Sequence, residues 1–298
     1  KGGGMSVIFV VGYKVEEKKV KKEYVFLKEL VAVPGKNSIL KVRDPRTGQI
    51  LVEKRLSKVG TAEFEQKRMR SEIDLMRQLL DTPCKNIVSY VDDYEDDSCI
   101  SLFIEYFETN LQDVIQERKA SGGHFSDQEI CDILLHVAEG LQFFHNLPVP
   151  ILHRDIKSDN VFINGKGRSR ILKIGDLGEC KPLPDSVNYI SVAGTAGYMD
   201  ASILQRHPVS VMADIFSLGM LMFELLSLER PYYDARDRFE RNQRVIDGVL
   251  PVLPVTAMDI DKRDSELVRL YFSMIGKTSS RPSAGDIVTI LGKLLLKF

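Results

Sequence analysis

The chain has 298 residues, 44% hydrophobic and 28% charged, a balance that excludes wholesale disorder and collagen-like repeats and suits one large or two closely packed globular units. Its 41 Lys and Arg against 42 Asp and Glu give a formal charge of -1, which removes the broad basic excess that non-specific nucleic-acid binding needs, so no nucleic-acid partner is expected. The longest apolar runs, residues 7–11 and 219–223, fall far short of the roughly 20 residues that span a bilayer, so no membrane span is expected.

In chain order, residues 1–23 read as an N-terminal lead-in. Lys1 to Met5 lacks the charged and apolar regions of a secretion signal, and residues 14–23 alternate in charge as a solvated strand or turn does. Strands are predicted at 24–27, 39–42 and 50–52, separated by the turn pairs Pro34-Gly35 and Thr47-Gly48. A helix follows over 63–80, where Met69, Ile73, Met76 and Leu80 fall at helical spacing. After a strand at 99–106 the pattern turns helical, at 113–119, 126–145, 211–226, 265–275 and 282–298. Ser126 with Glu129 three residues later forms a capping box at the start of the second of these. A strand-rich front and a helix-rich back predict an α+β chain of two lobes with a cleft between them. The four cysteines, Cys84, Cys99, Cys131 and Cys180, form no C-x-x-C pair, which argues against a zinc knuckle and fits a reducing, cytoplasmic or nuclear setting.

Ionisable groups concentrate between the helices predicted at 126–145 and 211–226. The octet His153-Arg154-Asp155-Ile156-Lys157-Ser158-Asp159-Asn160 is followed by Asp176-Leu177-Gly178. Asp155 and Lys157 are two apart, so in an extended stretch both project to one side; there a carboxylate can accept a hydroxyl proton while an ammonium steadies a phosphate. Asn160 and Asp176 supply hard oxygen ligands of the kind magnesium takes. Phosphoryl transfer from a magnesium nucleotide uses all four.

H-R-D-I-K-S-D-N followed by D-L-G resembles the catalytic and metal-binding loops of the eukaryotic protein kinases. Further landmarks occur in order: Gly194-Thr195, the run from Asp214 to Gly219, and Arg281-Pro282-Ser283. The resemblance covers residues 24–298 and implies the bilobal kinase fold: a small β-rich N-lobe with one main helix at 24–104, a hinge at 105–109, and a larger helical C-lobe at 110–298, with the ATP cleft between. It implies ATP and Mg2+ as cofactors and a protein substrate as partner. Asp155 is implied as the base, Lys157 as the stabiliser of the moving phosphoryl group, and Asn160 and Asp176 as the magnesium ligands. Lysine two residues after the aspartate is the serine/threonine pattern. Lys54 is implied as the phosphate-binding lysine and Glu72 as its helix partner, ahead of Glu63 and Glu65. Ile39, Val52 and Phe162 would enclose adenine, Ile104 would be the gatekeeper, and the backbone from Glu105 to Phe107 would bond the base. Arg154 would be free to pair with a phosphate on the activation segment, placed there by an upstream kinase or by autophosphorylation. Ser186, Tyr189, Ser191 and Thr195 are the acceptors available, Thr195 the least favoured because that threonine usually contacts the catalytic aspartate.

The pattern departs from the family at several points. Ala32, Pro34 and Asn37 replace the three glycines whose backbone N–H groups close over the phosphates. Val52 replaces a small residue, Glu53 an apolar one, and Leu177 a phenylalanine. Asp200-Ala201-Ser202 stands where A-P-E is usual, so Arg281 needs Asp200, another acid, or solvent. An active serine/threonine kinase regulated by activation-loop phosphorylation is the leading expectation. The alternative is a pseudokinase that senses nucleotide or acts as a scaffold. Asp214, in an apolar run, is either a helix cap or the anchor of the catalytic loop, and His153 is read as a packed core histidine.

Overall fold

The computed structural model describes residues 23–33, 37–165, 170–183, 192–252 and 263–298. Strands β1 (Val25–Val33), β2 (Asn37–Arg43), β3 (Ile50–Ser57), β4 (Tyr90–Glu95) and β5 (Cys99–Glu105) form one antiparallel sheet in the order β1-β2-β3-β5-β4. The turn between β2 and β3 closes where the sequence signals it: the Gly48 N–H donates to the Asp44 carbonyl at 2.8 Å, with Gly48 at a φ of +74° that favours glycine. Cross-strand register puts Ile39, Lys54 and Leu102 opposite one another, and Lys41, Val52 and Ile104 likewise. The period of two therefore sends these six side chains to one face. Leu40, Val42, Leu51 and Phe103 form a separate small core on the other face, where Tyr24 stacks on Phe103 at 4.1 Å.

Helix α1 (Glu63–Gln78) covers the first of these faces, burying Glu72, Ile73 and Met76. Beyond the sheet come β6 (Thr109–Asn110), α2 (Leu111–Ala120) and α3 (Asp127–His145). Ser126 and Glu129 cap α3 reciprocally, as the sequence indicates. Two small sheets follow, one of β6, β8 (Val161–Asn164) and β9 (Ile171–Ile174), the other of β7 (Ile151–Leu152) and β10 (Lys181–Pro182). Helices α4 (Ala201–Leu204), α5 (Met212–Ser227), α6 (Arg238–Ile246), α7 (Ser265–Ile275) and α8 (Ala284–Leu295) complete the chain. The result is an α+β, two-lobed architecture. No helix among the described residues is long and apolar enough to cross a membrane.

Helix α5 is buried along nearly its whole length, and α7 lies so close that a Cβ on Gly219 would sit 2.5 Å from Ile275 Cγ2. Strand β4 and helix α6 were not indicated by periodicity, and the helix expected over 282–298 is shorter, capped by Ser283 with Asp286. Asp214 does not cap α5. That place belongs to Val211, and Asp214 sits buried in the first turn, where its carboxylate reaches the loop at 153–154.

Candidate active site

Asp214 sets the shape of the loop that carries the chemistry. Its carboxylate accepts the backbone N–H groups of His153 (2.8 Å) and Arg154 (2.9 Å) and faces His145 Nε2 at 3.0 Å. These bonds hold Arg154 at a φ of +69°, a left-handed conformation that a long side chain rarely takes. His153 is fully buried; its Nδ1 accepts the Asp155 N–H and its Nε2 faces the Gly175 carbonyl at 3.3 Å. That arrangement fits one neutral tautomer, and burial lowers its pKa against the pull of Asp214 and Asp155. A packed core histidine is what the sequence leads one to expect here.

The loop then presents Asp155. Its Oδ1 accepts from Thr195 Oγ1 at 2.6 Å, and its Oδ2 accepts from Lys157 Nζ at 2.7 Å and Asn160 Nδ2 at 2.9 Å. Lys157 also donates to Thr195 Oγ1 at 2.7 Å, so the two-residue spacing of Asp155 and Lys157 does bring their side chains together. Across the cleft, Lys54 Nζ lies 2.7 Å from Glu72 Oε1 and 2.9 Å from Asp176 Oδ1. Burial opposes the lysine's charge, but the Asp176 and Glu72 carboxylates outweigh it and raise its pKa. Lys54 in turn holds the Asp176 carboxyl below the usual carboxylate range. Asp176 itself takes a left-handed φ of +58°. Glu63 and Glu65 are not the partners of Lys54.

Between these groups and the sheet lies a cavity of about 440 Å³, within the size range of small-molecule sites. Ile39, Val52, Val88, Ile104 and Phe162 line its apolar part, and Lys54, Asn160 and Asp176 its polar end. Glu105 and Phe107 also line it, Phe107 tilted against Phe162 at 5.9 Å. The Glu105 carboxylate turns away to accept from the Ser89 N–H at 2.6 Å and Lys173 Nζ at 2.7 Å, which leaves its backbone rather than its charge for a ligand.

The profile of the protein kinase domain family matches residues 35–289. The chain belongs to that family, as a eukaryotic serine/threonine-type kinase domain. It is 31% identical over 244 residues to a kinase and exchange factor for Rac B from Dictyostelium discoideum, covering 79% of this chain and 21% of that protein. It is 28% identical over 251 residues to serine/threonine-protein kinase Nek4 of Mus musculus (83% and 30%), and 28% identical over 223 residues to a probable serine/threonine-protein kinase, WNK10, of Arabidopsis thaliana (74% and 40%). The chain thus spans between a fifth and two fifths of the length of these relatives.

Kinase domains generally use ATP and Mg2+, and the donors here fit that pair. Asn160 commits its amide nitrogen to Asp155, so its carbonyl oxygen is what it can offer beside the Asp176 carboxylate. Among the described residues no three His, Cys, Asp or Glu side chains gather as a metal cluster. Two protein oxygens completed by phosphate and water are a donor set magnesium accepts.

One expectation needs correction. Arg154 is not free for a loop phosphate: it is almost fully buried, its Nε donates to the Glu179 carbonyl at 2.6 Å, and its Nη2 lies 3.5 Å from Glu179 Oε2. The Thr195 hydroxyl bonds both Asp155 and Lys157, the contact that makes it the least favoured acceptor. Ser186, Tyr189 and Ser191 lie outside the described residues. Of the departures, the missing glutamate is replaced by Asp200, whose Oδ2 meets Arg281 Nη1 at 2.7 Å with both side chains buried. Buried Glu53 is matched by Arg55 in a two-pronged pair (2.8 and 2.9 Å) and by Ser101 Oγ at 2.7 Å. Leu177 packs into the core.

Sequence reasoning missed a buried polar network beneath the loop. Glu224 on α5 accepts from Ser158 Oγ at 2.8 Å and lies 3.2 Å from Arg230 Nη1; Arg230 also grips Asp159 at 2.6 and 2.9 Å. Burial pushes the Glu224 carboxyl up to about 7, against the pull of Arg230 and Ser158. Only a charge inside the apolar run 215–226 hinted at it.

Proposed function

We propose that this domain transfers the γ-phosphoryl group of magnesium ATP to serine or threonine hydroxyls of protein substrates. The observation that carries this reading is the assembled contact of Lys54 with Glu72 and Asp176, which joins α1, β3 and the loop after β9 around one ammonium. In this reading Asp155 receives the hydroxyl proton, and Lys157, already 2.7 Å from it, offsets charge on the group in transit. Lys54 steadies the non-transferred phosphates. Magnesium, held by Asn160 and Asp176, would neutralise charge on the phosphate oxygens. Ile39, Val52, Ile104 and Phe162 enclose the base, and the backbone of Glu105 and Phe107 orients it. We assign residues 24–104 to the small lobe, 105–109 to the hinge and 110–298 to the large lobe.

A second reading, a pseudokinase that binds nucleotide and works through partners, is favoured by one observation: Pro34 lacks the N–H, and Ala32 and Asn37 the conformational freedom, that the phosphate cradle draws on. Transfer of labelled phosphate from magnesium ATP to the protein itself and to a generic basic protein, with Asp176→Asn alongside, decides between them. Label on the wild type that vanishes in the variant supports catalysis. Absence of label, with magnesium ATP still raising the melting temperature, supports the pseudokinase.

A further inference from the structure

Glu179 lies three residues after Asp176 and has no place in the reaction as proposed, yet three parts of the fold meet on it. Arg68 of α1 reaches its Oε1 at 2.8 Å through Nη1, and Arg68 Nε donates to the Gly178 carbonyl at 3.2 Å. Arg154 of the catalytic loop donates to the Glu179 carbonyl at 2.6 Å and lies 3.5 Å from Oε2. One carboxylate thus faces two guanidinium groups from elements that are far apart in sequence. The Glu179 side chain is only 17% exposed and that of Arg154 3%, so water screens that half of the arrangement little, while the Arg68 half, with its side chain 47% exposed, is partly screened. The space is tight as well: a Cβ on Gly178 would lie 3.0 Å from Arg68 Nε and 3.4 Å from Glu72 Oε2.

From this convergence we infer that Glu179 is a positioning residue that locks α1 and the catalytic loop to the Asp176 loop, so that basal activity needs no phosphate on the segment 184–191. A loop phosphate would otherwise supply the anion that draws two arginines together; here the chain carries a fixed anion beside them. The lock matters because α1 also carries Glu72. When Arg68 is held to residues 178 and 179, α1 keeps Glu72 within reach of Lys54, and Lys54 keeps Asp176 in place. Glu179→Gln retains size but loses the charge that both arginines face. The inference rests on the kinase reading for its catalytic half and on the geometry alone for its structural half.

The test uses the full chain, treated with phosphatase and verified by mass to carry no phosphate. The untreated and treated wild type should have turnover within about twofold of each other. Treated Glu179→Gln should lose about tenfold or more in kcat, with KM for a basic protein substrate little changed, and Glu179→Asp should recover part of the loss. Backbone amides of residues 63–78 should exchange hydrogen faster in Glu179→Gln than in wild type, and by a larger factor than the amides of residues 212–227, which report the global stability. Wild type that loses its activity on phosphatase treatment overturns the inference, as does a Glu179→Gln protein with unchanged kcat and unchanged exchange. If neither protein transfers phosphate, the exchange comparison still decides: faster exchange in the variant keeps the lock and removes the kinase reading, and equal exchange removes the lock.

Discussion

Replacing Asp200 with alanine should destabilise the large lobe by about 4 kcal/mol, a major part of the ~5–15 kcal/mol that holds a typical domain folded. The figure follows from the burial of the pair: the Asp200 and Arg281 side chains are 3% and 5% exposed and meet at 2.7 Å. Removing one member of such a pair leaves an uncompensated charge and costs about 3–5 kcal/mol. Arg281 keeps its bonds to the Gly276 and Met212 carbonyls, both 2.9 Å, and its place beside Phe216, which moves the figure toward the lower end. Asp200 also caps α4 through the Ser202 N–H at 2.9 Å, and losing a cap adds about 1 kcal/mol. Urea unfolding of Asp200→Ala, Arg281→Met and the double variant measures the loss and separates the pair from the cap. The double variant should lose at least about 2 kcal/mol less than the sum of the single variants. A loss below about 1 kcal/mol for Asp200→Ala, at unchanged m-value, would refute the reasoning and show that the guanidinium finds another partner.

Asp155→Asn should lower kcat by about 10²–10⁴ while the melting temperature stays within a few degrees, because asparagine keeps the size, its Oδ1 can accept from Lys157 and Asn160, and its Nδ2 can donate to Thr195 Oγ1; less than about tenfold loss would remove Asp155 from proton transfer. Glu224 keeps its proton in the folded chain up to about pH 7, whereas the unfolded chain releases it near 4.5. Its stabilisation is therefore fully present below 4.5 and is lost as pH rises to about 7, by up to ~3 kcal/mol. Subtracting the stability curve of Glu224→Gln from that of wild type should expose this fall, and parallel curves would contradict it. Gly219→Ala should destabilise by about 1 kcal/mol, since overpacking against Ile275 and Met274 outweighs the better helix propensity of alanine; a gain in melting temperature would mean that α7 moves aside at no cost.

Periodicity and turn chemistry exposed the parts of the fold that depend on neighbours in sequence. Ser126 with Glu129, the Thr47-Gly48 turn and the apolar stripe of α1 from Met69 to Met76 all act over a few residues, and each lies where those residues place it; Leu80, expected to extend the stripe, lies past the end of α1 and is exposed. Strand β4 escaped notice because Tyr90-Val91-Asp92-Asp93-Tyr94-Glu95 carries acids at buried positions, and their partners come from afar: Tyr24 for Asp92, Arg77 for Asp93. Helix α6 escaped because Arg238–Ile246 is mostly polar and buries only Val245. In the candidate site, Asp155, Lys157, Asn160 and Asp176 were legible because two short stretches carry them. The pairing of Arg154 with Glu179 was not, since it joins residues 25 apart through a backbone turn that no pattern of side chains encodes. Asp200 is one of the partners the sequence offers Arg281, and only the fold brings the two together.

The bonds from Asp214 to residues 153 and 154 tie catalytic competence to the order in which the chain folds. The loop cannot take its left-handed bend at Arg154 until α5 is seated, because the acceptors that hold the bend belong to that helix. During refolding, helical content should therefore return before activity does. Because α5 is buried along nearly its whole length, opening it costs close to the full stability of the large lobe, so the bend at Arg154 should persist until that lobe unfolds as a whole.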